Sequence, residues 1–529
     1  MYRYAYVDLQ KGGAGMKENK SGRIAWTAIF MVVATVCAKL LGMLRDVLLA
    51  NGYGTTMSAV AFDTASRLPI LIFDFVIGGV ITASFIPVFN ELLVKKGKDD
   101  ALKFANLYVN VILVITLAIS AMGVLLASPL VTFLAPDISV ETHALAVTLT
   151  RLMFPMIIFT GLAFSFVGIL QSFGRFLLPA VISLVSNLIM VLYFLTLDSR
   201  FGIWGLSVAM VLGWAVQAVI QMPSAHSMGF RFKPTLRFCN PYLKKSLLMA
   251  LPILVSTWVQ PFCNLLNIRF ASSIDGGSAI TAIGYANRLY IVIVGVFSFV
   301  ATNLLFPFLS KAEAQGEREE SRRIANMSIR LLMLVILPIT VGIFVLALPV
   351  CTLIYERGAF TAQDSQVTAQ ALACFALGMP FYAVNEVYTK KFFSMQNTFY
   401  PMISALCAIA ANFVSLYFLA PALGVRGIAL SGAVAVAVNV LLNHILLAKS
   451  GERIVTAADT IELFKPGFAS AVMGVAVYFV YTNQPFGVLF GTALAVLTGI
   501  VVYGAVCLIV GQRDVREALK KITGGRKNG

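Results

Sequence analysis

Apolar and polar positions alternate along this chain in long blocks rather than residue by residue. Fourteen apolar stretches are separated by short polar loops: Ile24–Leu44, Arg67–Leu92, Phe104–Leu134, His143–Gln171, Phe176–Leu197, Ile203–Pro223, Lys244–Ser273, Ala279–Ser310, Ala325–Tyr355, Val367–Phe393, Phe399–Leu419, Val425–Leu447, Phe464–Tyr481 and Phe486–Val510. About 20 apolar residues in a helix cross a hydrocarbon core of about 30 Å. The runs are rich in Leu, Ile, Val, Ala and Phe, with Gly and Pro inside them. They lack the period-two alternation of a membrane β-barrel strand. The pattern predicts an all-α, polytopic membrane protein with fourteen transmembrane helices.

The loops set the orientation. One alternate set is basic, with Lys95, Lys96, Lys98 and Lys103, then Arg231, Lys233, Arg237, Lys244 and Lys245, then Lys311, Arg318, Arg322 and Arg323, then Lys390 and Lys391, then Lys449, Arg453 and Lys465. The loops around Asp137 and Glu141, around Asp275, and at Thr482–Pro485 carry no Lys or Arg. Lys/Arg-rich loops stay in the cytoplasm, so both termini are expected there. Charged residues are only 12% of the 529, and the net charge of +16 is spread over these loops and the tail Arg513–Lys527. Anionic head groups account for it, and no nucleic-acid partner is expected.

Cysteine and histidine add little. Cys37, Cys263, Cys351, Cys374, Cys407 and Cys507 sit in or at the ends of spans, Cys239 lies in a basic loop, and His143, His226 and His444 are scattered. No spacing suggests a disulfide framework or a zinc site. Met1–Gly15 is polar and has no apolar core of a signal peptide; Met16, followed by Lys17-Glu18-Asn19-Lys20, reads as a more natural start.

The chain also repeats itself. Ala65-Ser66-Arg67-Leu68 matches Ala286-Asn287-Arg288-Leu289, and Phe85-Ile86-Pro87 matches Leu305-Phe306-Pro307. Tyr193-Phe194-Leu195 matches Tyr417-Phe418-Leu419, and Gly202-Ile203-Trp204-Gly205 matches Gly424-Val425-Arg426-Gly427. Four matches in order at nearly one offset imply two pseudo-symmetric six-helix halves. Six is even, so the halves run parallel, and substrate sites tend to lie between such repeats. The expected division is a polar segment at 1–23, a first lobe at 24–225, a second lobe at 226–448, two further helices at 449–512 and a basic tail at 513–529.

Charges inside the spans ask for a reason, because each costs about 2.5–3.5 kcal/mol even on the lenient insertion scale. Lys39, Arg45 and Asp46 stand in the first span, Arg67 and Asp74 in the second with Asp63 just before it, Arg288 in the eighth and Glu386 in the tenth. Arginines near helix ends also snorkel to head groups, and Lys390 and Lys391 read as a solvated inner end. The equivalence of Arg67 and Arg288 in the two halves favours a cavity: residues facing a pseudo-twofold axis converge. Lys39, Arg45, Arg67 and Arg288 would line it, tempered by Asp46, Asp63 and Asp74. Guanidinium groups hold phosphate through paired hydrogen bonds, so an anionic substrate is expected. There is no G-x-x-x-x-G-K-[ST] loop, and no catalytic constellation, so transport would draw on a potential or an ion gradient.

The run Leu40-Leu41-Gly42-Met43-Leu44-Arg45-Asp46, then Arg67-Leu68-Pro69, Gly79 and Ala83-Ser84-Phe85-Ile86-Pro87-Val88-Phe89, resembles the MurJ (MviN) family, as do Ala286-Asn287-Arg288-Leu289 and Phe306-Pro307-Phe308-Leu309-Ser310. These are flippases of lipid II, the undecaprenyl-pyrophosphate-linked peptidoglycan precursor, within the multidrug/oligosaccharidyl-lipid/polysaccharide (MOP) exporter superfamily. The resemblance covers essentially the whole chain. It implies a V-shaped pair of lobes that alternates between inward- and outward-open states. The head group would bind in the cationic cavity, with the lipid tail in a groove made partly by helices 13 and 14. It places Lys39, Arg45, Asp46 and Arg288 on family positions of cavity charge, and it implies a transporter rather than an enzyme, monomeric or working with the cell-wall synthesis machinery.

The chain departs from the family at Val60, where an aspartate is frequent, at Phe73 and Gly78, which hold Arg and Glu in some relatives, and at Asn287, where an Asp can occur. The spans Lys244–Ser273 and Phe399–Leu419 carry no internal acid, so the acid-built sodium site of some relatives is not matched; no cofactor is implied, and a coupling ion, Na+ or H+, stays open. Two other readings remain: a flippase for another undecaprenyl-linked glycan, and a cation antiporter like the MATE exporters, which would want a dominant acidic site. An intramembrane enzyme acting on polyprenyl phosphates would need clustered His and acids, which the sequence lacks.

Overall fold

The computed structural model describes residues 17–76, 84–235, 240–248, 258–300 and 305–516. Met1–Gly15, Met16, Gly78, Gly79, Ala83, Arg237, Cys239 and most of the basic tail lie outside them. The described helices are α1 (Lys17–Tyr53), α2 (Met57–Val76), α3 (Ile86–Lys95), α4 (Lys98–Leu125), α5 (Ala127–Leu134), α6 (Val140–Met153), α7 (Met156–Ser172), α8 (Leu177–Thr196), α9 (Asp198–Val219) and α10 (Met222–Ser227). They continue with α11 (Val259–Ala271), α12 (Ser278–Val300), α13 (Phe306–Ala314), α14 (Arg318–Tyr355), α15 (Ala362–Ala376), α16 (Met379–Ser394), α17 (Phe399–Leu423), α18 (Val425–Lys449), α19 (Ala457–Asn483) and α20 (Val488–Ile509).

Among the described residues, ten helices are long and apolar enough to cross a membrane, or eleven when α15 and α16, bent by 42°, form one span. That makes the chain a multi-span helical membrane protein; the expected count of fourteen is compatible with it. Large apolar side chains stay exposed on the outer faces, among them Val475 at 71%, Phe490 at 70% and Ile509 at 80%. In water such surface would be a liability; in a bilayer it is the lipid-facing side.

Packing divides the chain into two compact units. Unit 1 comprises Met1–Arg45, Gly79–Val124 and Leu152–Leu251, and unit 2 comprises Asp46–Gly78, Leu125–Arg151 and Pro252–Gly529. In unit 1, α4 and α7 approach closely at small residues. A Cβ on Gly161 would come within 2.9 Å of Ile112 and Thr116, and one on Gly123 would overlap the ring of Phe154, in the turn before α7, at 1.9 Å. Small residues at such crossings allow backbones to pack without a hydrophobic drive between helices. Phe85, Phe104 and Tyr108 stack nearby, with ring centroids 4.8–6.1 Å apart.

Unit 2 is built around α14 and α16. Ile336, Met379 and Val387 are fully buried between them. α14 contains Pro338 and Pro349 and leaves helical geometry at Leu346 (φ −99°, ψ 18°). Proline removes one helical hydrogen bond and crowds the preceding turn, which is the usual cause of such a kink.

The sequence repeat is also a backbone repeat. Gly202 has φ 53°, ψ −145° and Gly424 has φ 57°, ψ −131°, a region essentially restricted to glycine. Three residues on, a Cβ on Gly205 would strike the Tyr193 hydroxyl at 2.4 Å, and one on Gly427 would strike the Leu419 carbonyl at 1.9 Å. Pro87 and Pro307 likewise stand in the first turns of α3 and α13, where a missing N–H costs nothing.

Candidate functional site

The charges expected in the second and eighth spans meet inside unit 2. α2 carries Asp63 and Arg67 one turn apart, on one face. α12 carries Gly284, Tyr285, Asn287 and Arg288. Arg288 Nη2 donates to Asp63 Oδ1 at 2.7 Å, although the two residues are 225 apart in sequence. Its Nη1 stands 3.6 Å from Asp46 Oδ1, and its guanidinium lies 5.1 Å over the Tyr285 ring. Arg67 comes to the same place: a Cβ at Gly284 would lie 3.2 Å from Arg67 Nη2 and 3.3 Å from Asp63 Oδ2. Glycine at 284 leaves the two side chains room against α12.

The cluster is charge-balanced but not saturated. Two arginines face two aspartates, Asp63 being 1% exposed and Asp46 6%. Yet Arg67 Nε, Arg288 Nη1 and Asp63 Oδ2 are buried with no hydrogen-bond partner. An unmade hydrogen bond on a buried charged group is costly, so these atoms mark a place ready to take a ligand. Arg67 and Arg288 present N–H donors, which suit an anion's oxygens.

The other expected residues are placed as follows. In unit 1, Arg45 Nη1 donates to Asn187 Oδ1 at 2.9 Å, and Asn187 Nδ2 in turn donates to the Ala38 carbonyl. Lys39 is half-buried on α1, with no ion pair to the described residues. In unit 2, Asp74 is half-buried two turns beyond Arg67, and Glu386 is half-buried on α16. Neither forms an ion pair among the described residues. Asn287 lines two small cavities.

Lys391 corrects the reading of a solvated inner end. It is 0% exposed and pairs with Glu313 and, at 3.1 Å, with Glu452. It also donates to Ser321 Oγ at 2.9 Å. Arg322 Nε reaches the same Glu452 oxygen at 2.9 Å. A lysine at the end of an apolar run reads as solvated, and its acids sit on α13 and in the loop before α19. Asn264 and Asn267, on α11, also escaped notice; two amides three residues apart in an apolar run were the available signal.

The chain is thus a helical membrane protein with paired charges buried in its spans, and solved structures share its fold. One described as "Lipid II flippase MurJ, inward closed conformation" superposes with a TM-score of 0.79 at 24% identity, covering 91% of this chain and 98% of that one. An inward-facing multidrug resistance MATE family transporter of the MOP superfamily superposes at 0.65, with 14% identity, over 81% of this chain and all of the other. A relative from Rhizobium tropici, described as a probable lipid II flippase MurJ, is 31% identical over 498 residues, 90% of each chain. The lipid II flippase MurJ of Burkholderia cenocepacia is 25% identical over 425 residues, 79% of this chain and 82% of its own. The family model described as "Lipid II flippase MurJ" matches residues 49–497. The chain belongs to the MurJ family of lipid II flippases.

Proposed function

We propose that this protein moves lipid II from the inner to the outer leaflet of the bacterial cytoplasmic membrane, with both termini in the cytoplasm, by alternating access between lobes formed by 24–225 and 226–448. The supporting observation is the Arg67–Arg288–Asp63–Asp46 cluster with its unpaired N–H groups. In the empty state the two carboxylates neutralise the two guanidiniums. A pyrophosphate that takes the open donors on Arg67 and Arg288 displaces Asp46, whose pairing is the longer one. The loaded and empty clusters then differ in charge, and a ligand shifts a two-state equilibrium only through such a differential interaction. Helices within 449–512 form the groove for the lipid tail. The protein works as a monomer alongside cell-wall synthesis.

Energy comes from the membrane potential, about 2.3 kcal/mol for each elementary charge moved through 100 mV. The experiment uses vesicles containing the purified protein and labelled lipid II, with an imposed potential and no nucleotide. Transfer of the head group to the far leaflet, together with rescue of cells depleted of their own lipid II flippase, is the expected result. Transfer that needs ATP and ignores the potential overturns the drive. Transfer of a different undecaprenyl-linked glycan in place of lipid II overturns the substrate.

A further inference from the structure

Next to the arginine cluster, unit 2 contains a crevice lined by side-chain amides. A cavity of about 20 Å³ is bounded by Arg67, Asn264, Asn267 and Asn287. A second, of about 70 Å³, shares those three asparagines and adds Tyr290, Tyr382 and Asn439. Phe375 walls both, and its ring lies 5.6 Å from that of Tyr290. The pair of cavities therefore runs from a guanidinium, past amides, to an aromatic wall.

Among the uncommitted atoms in this crevice are an acceptor and a donor. Asn267 Oδ1 is a buried acceptor with no partner. Asn439 is held by its neighbours: Asn443 Nδ2 donates to Asn439 Oδ1 at 3.0 Å and to Asn385 Oδ1 at 2.9 Å, while Ser404 Oγ donates to Asn443 Oδ1 at 2.6 Å. This chain fixes which way the Asn439 amide points and leaves its Nδ2 donor without a partner among the described residues. Among its groups the crevice thus offers an acceptor, a donor and an aromatic face. A secondary amide has the complementary set: an N–H, a C=O and an apolar methyl. The larger cavity holds roughly five waters at about 15 Å³ each, enough for an acetamido group and too little for a sugar ring.

We propose that this crevice is a subsite that reads a secondary amide on the substrate head group, the N-acetyl group of an amino sugar, while the adjacent guanidiniums hold the pyrophosphate. The N–H of the acetamido group donates to Asn267 Oδ1, its carbonyl accepts from Asn439 Nδ2, and its methyl rests on Tyr290 and Phe375. This rests on the lipid II reading above and adds to it the feature by which the site selects one glycan over another.

The test is equilibrium binding to the full-length protein in nanodiscs, with four probes: undecaprenyl pyrophosphate, the same lipid carrying N-acetylglucosamine, the same lipid carrying glucosamine with a free amine, and lipid II. Two hydrogen bonds are at stake, so the parent should bind the acetylated sugar lipid about tenfold or more tighter than the free-amine one. Asn267→Leu removes an acceptor that has no internal partner, so the fold is retained. It should abolish that preference while leaving undecaprenyl pyrophosphate binding unchanged. Asn439→Asp, which keeps the size and loses the donor, should do the same. A parent with no preference between the two sugar lipids overturns the subsite, as does a variant that weakens all four probes alike. A preference that arises only with lipid II, the acetylated sugar lipid binding no better than undecaprenyl pyrophosphate, assigns the amide to the peptide and overturns the sugar assignment. A parent that binds undecaprenyl pyrophosphate but not lipid II overturns the function instead.

Discussion

At the scale of single residues, Arg288 concentrates the argument. It is the partner of Asp63, the ion-pair neighbour of Asp46 and the cation over Tyr285. Arg288→Ala therefore removes more than a ligand contact: it leaves two buried carboxylates without their main counter-charge. Breaking a buried pair from one side costs about 3–5 kcal/mol, so the variant should both lose transport and melt earlier in detergent. Arg288→Lys separates the two effects. It keeps the charge and most of the stability, but a point charge cannot grip two oxygens as a fork does. The Lys variant should be folded, present in the membrane at parental levels, and unable to rescue depleted cells. Rescue by Lys equal to that of the parent would remove the bidentate role. The sequence made Arg67 and Arg288 legible because the repeat pairs them, and Asp63 visible as a nearby acid. Nothing in it could show that Asp63 closes on Arg288 across 225 residues, nor that Asn267 would present an unsatisfied carbonyl to a cavity.

At the scale of helices, the apolar blocks gave most boundaries to within a few residues, because membrane length and hydrophobic run length are the same constraint. What the blocks hid were the breaks: Phe104–Leu134 is two helices, α4 and α5, and Val367–Phe393 is the bent pair α15 and α16. The joint between α17 and α18 is a single glycine, Gly424, in a conformation that side chains resist. Gly424→Ala should cost about 1–3 kcal/mol and lower the melting temperature. Gly342→Ala, where a Cβ would meet nothing within 4 Å, should leave it unchanged; equal melting of the two variants would show that the joint relaxes freely.

Lys391 ties α16 to α13 and to the loop before α19. Glu313 lies beyond the apolar run. Burial alone would raise its carboxyl, but hydrogen bonds from Lys391 and Ser321, with the charges of Lys391 and Arg318, hold it below the usual range. A depressed folded value stabilises the fold above the unfolded pKa of about 4.3 and is lost as pH falls through the folded one. Lys391→Met should therefore cost about 3–5 kcal/mol at pH 7 and less in acid, once the pH has fallen through the depressed Glu313 value and the parent has lost that charge as well. An equal loss at pH 7 and in acid would mean that Lys391 acts through packing alone.

At the scale of the whole molecule, the repeat and the packing divide the chain differently, and the difference bears on mechanism. By the repeat, residues 46–78 belong to the first half. By packing they belong to unit 2, with most of the second half. Three of the contacts that hold them there stand out. The Ala359 N–H donates to the Asn51 carbonyl at 2.8 Å, Thr55 Oγ1 donates to Asp364 Oδ1 at 2.5 Å, and Arg288 pairs with Asp63. The fit is tight as well as polar: a Cβ on Gly54 would strike the Ala359 carbonyl at 2.3 Å, and one on Gly358 the Asn51 carbonyl at 2.4 Å. If the two halves alternate about the substrate, residues 46–78 must part from 359–364 in each cycle. Two of the three contacts contain no substrate-binding group, so they can be locked without touching the site. Thr55→Cys with Asp364→Cys, in a chain whose native cysteines are replaced, should bind lipid II as the reduced protein does when joined by a short thiol cross-linker. It should nonetheless fail to deliver the head group to the far leaflet, and reductive release of a cleavable linker should restore delivery. Full transfer by the cross-linked protein would show that these segments stay together throughout the cycle and that the moving boundary lies elsewhere.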